Sequence, residues 1–186
     1  MTFIIGNDHL FEITSGTLEP NGLDIVEDLM WFPETYVCNM YLLDYGPRTR
    51  KVVSVDAGVI TFDQPHELEV GDTVHVWTMA GLKSLWGEQE IATVPDEYSI
   101  TLVSAFTSTD WKSGGTIRKV IYGPQSMETI TYGTTNRLLH VIPSSVDLQE
   151  GRNYVIVVHA YDVPAGGGND FEMYYEQLHT AVQEVL

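Results

Sequence analysis

The sequence predicts an all-β chain, and three observations carry that prediction. Short runs rich in β-branched and aromatic residues recur along most of the 186 residues. Gly, Pro, Asp or Asn closes nearly every run, at the spacing of about 8 to 12 residues typical of sandwiches and barrels. The i, i+3, i+4 pattern of an amphipathic helix occurs once, at the C-terminus.

Taken in order, the predicted strands begin with YVCNMYLLD (36–44), where apolar and polar residues alternate, and continue with KVVSV (51–55) and VITF (59–62), separated by the turn signal Asp56-Ala57-Gly58. TVHVWTM (73–79) follows Gly71-Asp72, a tight-turn signal, and places Val74 and Val76 on one face with His75 and Trp77 on the other. EIATV (90–94) and YSITLV (98–103) flank a turn signal at Pro95-Asp96. TIRKVIY (116–122), METITY (127–132), LLHVI (138–142) and RNYVIVVHAY (152–161) complete the set. Gly81 and Gly87 bracket a loop carrying Leu82, Leu85 and Trp86, which is expected to plug the end of a small barrel. Ala165-Gly166-Gly167-Gly168-Asn169-Asp170 has no phosphate-cradling context, since no helix follows, and reads as a flexible hairpin. Leu178, Ala181, Val182 and Val185 match a helical stripe, so a short C-terminal helix is the expectation there.

Charge narrows the classes of function. The formal net charge is -17, which repels phosphate backbones and argues against direct nucleic-acid binding. Residues 46 to 122 hold seven basic and ten acidic groups, leaving two basic and sixteen acidic groups for the rest. That imbalance points to two modules with different surfaces, the more acidic one suited to a basic partner face. Arg48, Arg50 and Lys51 at one crossing, with Arg118 and Lys119 at the other, suggest a basic collar able to pair with the acidic module. No apolar run is long enough to span a bilayer and no signal peptide is evident, so a soluble, untargeted protein without membrane contact is expected. The single Cys38 excludes a disulfide framework and reads as a small buried hydrophobe.

Catalytic chemistry has little to stand on. None of the six His residues lies in a His-x-His or His-x3-His pair, so neither a metal site nor a cofactor is expected; His9 beside Asp8, and His159 near Asp162, read as hydrogen-bonded structural residues. Asp24, Glu27 and Asp28 lack the alternation of a calcium loop. The expectation is a protein that is not an enzyme, with no catalytic residue. Loop aromatics are weighted the other way: Trp31, Phe32, Phe106, Trp111 and the pair Tyr174-Tyr175 sit in or beside predicted loops. Of these, Trp31, Phe32, Trp111, Tyr174 and Tyr175 are the candidate interface residues.

Two stretches carry a resemblance to known families. His66-Glu67-Leu68, Gly71-Asp72-Thr73-Val74, and Gly81-Leu82 through Trp86-Gly87 lead to the strand containing Tyr98-Ser99-Ile100. That order resembles the small β-barrel repeat of many tailed-phage virion proteins, which is similar to the first catalytic-cysteine half-domain of ubiquitin-activating enzymes. The family pattern has Gly where this chain has Glu67, Met at Leu82 and Asn at Trp86. The resemblance covers about 40 residues and implies a fold, not ubiquitin chemistry. Around it, Thr35-Tyr36-Val37 to Leu43-Asp44 and Leu148-x-x-Gly151-x-x-Tyr154 to Val158-x-Ala160 resemble the immunoglobulin-like sandwich proteins of phage structural-gene clusters. Together the two resemblances imply an immunoglobulin-like sandwich (1–48 plus 123–186) with an inserted small β-barrel (49–122).

The implied role is a virion structural protein, a capsid decoration or cement protein or a component of the head-to-tail region. Its partners would be the major capsid protein, portal or connector proteins and copies of itself. The alternative is a host-receptor or carbohydrate-binding module of the virion, its loop aromatics serving as sugar platforms.

Overall fold

The structure is a computed structural model and describes residues 2–14, 36–46, 50–132, 135–162 and 172–182. Every long element is a strand: β1 (Thr2–Ile4), β2 (His9–Thr14), β3 (Tyr36–Asp44), β4 (Val52–Asp56), β5 (Val59–Phe62), β6 (Thr73–Trp77), β7 (Gly87–Asp96), β8 (Ser99–Leu102), β9 (Thr116–Ser126), β10 (Glu128–Tyr132), β11 (Thr135–Ile142), β12 (Asn153–Asp162) and β13 (Glu172–Val182). Helical structure among the described residues is limited to 3-10 turns at Lys83–Leu85 and Ser108–Asp110.

The chain forms two compact units, Met1–Leu42 with Ile121–Leu186, and Leu43–Val120. Strands β3 and β9 each run through a junction, so Leu43 and Asp44 pack with the second unit.

The first unit is a two-sheet β-sandwich. One sheet runs in the order β1-β13-β12-β3-β9, with β1 parallel to β13 and β12 antiparallel to β13; the other is an antiparallel trio, β10-β11-β2. Alternation along each strand sends one side inward, and the two inner faces share a core of Phe3, Phe11, Ile13, Met40, Leu42, Leu138, Ile142, Tyr154, Ile156 and Val158. Tyr154, fully buried at the start of β12, receives the Gln149 N–H on its hydroxyl at 2.8 Å. A strand-start tyrosine bonded to backbone a few residues upstream is the tyrosine-corner arrangement of immunoglobulin-type sandwiches. The Leu148-x-x-Gly151-x-x-Tyr154 pattern encodes that corner: Gly151 takes φ +77°, a backbone state glycine enters without a Cβ penalty.

The C-terminal segment corrects the sequence expectation. Residues 172–182 form strand β13, not a helix, registered against β12 from Tyr161↔Glu172 to Asn153↔Thr180. His179 and Ala181 point inward while Leu178 and Val182 stay exposed, so the burial follows period two and the helical spacing of Leu178, Ala181 and Val182 was coincidental. Cross-strand pairing on both sides outweighs a stripe too short to hold a helix alone. Tyr174 and Tyr175 are therefore mid-strand residues, opposite His159 and Val158, and not loop aromatics. The Gly-rich run 165–170 and Val185 lie outside the described residues.

The second unit is a small closed barrel. Its strands follow the order β9-β6-β7-β8-β5-β4, all antiparallel where registered. The edge at β4 meets the other end of that row through the Lys51↔Thr116 bridge and the Val52 N–H bond to Gly115 O (3.0 Å). Closure removes the exposed edges that an open six-strand sheet would present. Inside lie Val52, Ile60, Phe62, Leu68, Val74, Val76, Met79, Ile91, Ile100, Leu102 and Ile117, with Leu82 and Leu85 of the plug loop buried among them.

Candidate functional site

The signature residues of 66–87 hold the barrel's backbone. His66 is buried; its Nδ1 accepts the Leu68 N–H (2.9 Å), and its Nε2 lies 3.0 Å from Asp96 O and 3.3 Å from Ser99 O. One imidazole thus ties the loop after β5 to the β7–β8 hairpin, and Phe62 meets it edge-on at 5.4 Å. Glu67, standing where the resembled pattern has Gly, takes φ +52°, a left-handed conformation that glycine enters more cheaply. Asp72 accepts the Glu69 N–H (2.8 Å) on one oxygen and pairs with Lys119 Nζ (2.6 Å) on the other, while the Gly71 N–H reaches Ile91 O. Gly81, at φ +89°, lies so close to the Asp110 carbonyl that a Cβ would collide with it.

Arg50, Arg118 and Lys119 have partners inside the Leu43–Val120 unit. Arg50, almost fully buried, has Nη2 3.8 Å from Asp44 Oδ2 and 3.9 Å from Glu67 Oε2. Arg118 lies over the Tyr45 ring at 5.1 Å, and Lys119 is held by Asp72. Arg48 lies outside the described residues.

Of the candidate interface residues, Trp31 and Phe32 lie outside the described residues, as do the side chains of Tyr174 and Tyr175 and the Asp24, Glu27, Asp28 cluster. Trp111 follows the second 3-10 turn, packs half-buried on the barrel core and donates its ring N–H to Gly114 O (3.0 Å). Its ring thus fixes its own loop, and Phe106 is drawn to the same core.

A different aromatic pair emerges on the barrel. The β6–β7 register places Val76 opposite Gly87, and the residues just beyond, Trp77 and Trp86, meet with ring centres 4.7 Å apart. Both are half-buried, and Lys83 Nζ sits 5.2 Å from the Trp86 ring centre. Further along the same two strands, Thr73, Glu88, Gln89 and Glu90, with Val103 and Ser104, line an open groove of about 330 Å³. Partial burial pushes the Glu88 carboxyl above its ordinary range. Val70, Val103 and Val53 add exposed apolar surface on this unit. Trp77 and Trp86 had no shared periodicity to mark them; only pairing β6 with β7 through Gly87 would have found them.

The arrangement offers contact surface, acidic and apolar together. Among the described residues no group of three His, Cys, Asp or Glu side chains is placed to hold a metal ion, and no helix is long and apolar enough to cross a membrane. No family model, curated protein or solved structure matches the chain.

Proposed function

We propose that this chain is a structural subunit of a tailed-phage particle that works by contact, decorating and reinforcing the capsid or sitting at the head-to-tail region. The observation that carries the reading is what the barrel does with its polar side chains. His66, Asp72, Arg50 and Trp111 are all engaged in holding backbone or partners within the unit, while Glu88, Glu90, Val70 and Val103 are turned to solvent. A subunit of this kind acts by burying area against coat or connector neighbours, and symmetry multiplies each copy's small contribution. The net charge of -17 suits basic patches on those neighbours and disfavours direct DNA contact.

A second reading has one observation in its favour. The half-buried Trp77–Trp86 pair with Lys83 alongside is an aromatic surface on which a sugar ring of a host receptor could stack. Co-sedimentation with purified expanded capsids, with connector rings and with a glycan panel separates the two. Saturable binding to capsids or rings, with glycans left alone, supports the assembly role. Glycan binding without particle binding overturns it in favour of the receptor module.

A further inference from the structure

His179 has an unusual setting. It lies on the inward side of β13, 2% exposed, and neither ring nitrogen has a hydrogen-bond partner. Its ring stacks on Phe3 of β1, with centroids 4.5 Å apart and planes 22° apart. Phe3 is itself buried and meets His9 edge-on at 5.0 Å. Strand β1 is only three residues long, sits at the end of its sheet and, among the described residues, pairs with β13 alone, through Thr2↔Thr180, Phe3↔Ala181 and Ile4↔Val182. Just beyond it the Ile5 N–H bonds Val182 O at 3.0 Å, and His9 Nε2 lies 3.1 Å from Ile4 N and 2.8 Å from Ile4 O. The sheet's shortest strand is therefore seated on a buried imidazole that holds no hydrogen bond.

The surroundings oppose a charge on that ring. Phe3 from β1 brings no polar group, and Tyr154, opposite His179 on β12, has its hydroxyl engaged by the Gln149 N–H. His9 from β2 and the chain's amino terminus each act electrostatically against a positive charge on the ring. Asp8 is occupied elsewhere: its carboxylate accepts the Ser144 N–H at 2.6 Å, and that bond holds it below the usual carboxylate range. Burial first, then these two groups, depress His179 to about 4.

We propose that β1 is an acid-released latch: protonating His179 expels Phe3 from the sandwich core and unpairs Thr2–Ile4 from β13, while the remaining strands stay folded. The sign follows from linkage. With β1 closed the ring resists its proton, and with β1 open it titrates in water near its ordinary 6.5. The closed state is fully favoured above that value and loses ground as pH falls toward 4. The whole difference is a bias of about 300-fold toward the open state. Opening is local because an edge strand of three residues has far fewer interactions to break than β12, which is paired or neighboured on both sides.

The test is amide hydrogen exchange by NMR on the full chain between pH 7 and 4, with rates corrected for the intrinsic effect of pH. The Ile5 amide reports the latch, and the Tyr154 and Ile156 amides report the core. The inference expects Ile5 to lose protection by tens to about 150-fold at pH 4 while the β12 amides keep theirs. It also expects His179→Phe, which keeps the ring stack without a titrating group, to hold Ile5 protection in acid. Should that variant fail to fold, His179→Gln serves the same purpose. Full Ile5 protection at pH 4, the same acid midpoint in the folded variant, or loss of β12 protection together with Ile5 would each overturn it.

Discussion

Replacing His66 by Ala tests whether the barrel's most conspicuous polar residue is scaffold or chemistry. The change removes the acceptor for the Leu68 N–H and the ring nitrogen facing Asp96 O and Ser99 O, all at a site 1% exposed. Leaving a buried donor without an acceptor costs about 1 to 3 kcal/mol. The lost edge-on contact with Phe62 costs about another 0.5 to 1.5, and the vacated volume adds to both. The expected loss is about 3 to 5 kcal/mol, confined to the Leu43–Val120 unit. For a unit of that size each kcal/mol moves the midpoint by roughly 4 to 8 °C, so the barrel's own midpoint should fall by roughly 10 to 40 °C. Tryptophan fluorescence during urea unfolding is the assay, since Trp77, Trp86 and Trp111, three of the four tryptophans, belong to this unit. His66→Asn, which offers an oxygen to the Leu68 N–H, should recover part of the loss. A penalty below about 1 kcal/mol would refute the reasoning. So would an unchanged fold combined with lost particle binding, since His66 would then be a contact residue.

Three further outcomes follow from the same geometry. Gly81→Ala should cost about 3 kcal/mol or more, because the new Cβ meets the Asp110 carbonyl on top of a strained φ, whereas Gly58→Ala, at φ +84° with open space around it, should cost only about 1; paired urea titrations would show the gap. Burial pushes the Cys38 thiol up to about 12, so at pH 8 it should react with a disulfide reagent about 1000-fold more slowly than an ordinary thiol and become fully reactive on unfolding, as followed by absorbance. Tyr154→Phe should lower sandwich stability by about 0.5 to 1.5 kcal/mol by removing the hydroxyl that accepts the Gln149 N–H, measured as a thermal shift by circular dichroism; no shift would remove the corner from the account.

The strands were legible where turns bracket them. VITF matches β5 at both ends because Ala57 and Gly58, at φ 47° and 84°, close the turn before it. Asp72 and Gly71 likewise set the start of β6. Where a strand runs through its own punctuation, boundaries were lost: β7 continues through Pro95, and β9 through Gly123 and Pro124. β13 was misread because β12 and β1 set its conformation from a distance, and nothing in residues 172–182 alone announces those partners.

The same contrast explains why the scaffold of the barrel could be read and its contact surface could not. A backbone that must turn at positive φ, or a loop amide that must find an acceptor, selects particular residues at particular places, and Gly81, Asp72 and His66 carry that selection visibly. A surface that works by buried area makes no such demand, since many side chains of similar size and charge serve equally. Trp77 and Trp86 become neighbours only through the Val76↔Gly87 register, and Glu88 and Glu90 share a groove with Val103 only because β7 lies between β6 and β8. Loop position alone does not separate contact aromatics from packing ones in this chain. Trp111 and Trp86 are both half-buried loop residues packed on the barrel core, their ring N–H groups bonded to Gly114 O and Met79 O, while Trp77 at the end of β6 lies against Trp86. Substituting Trp77, Trp86 or Trp111 therefore perturbs the barrel's packing as well as its surface, and a binding assay on any of the three is read beside an unfolding titration.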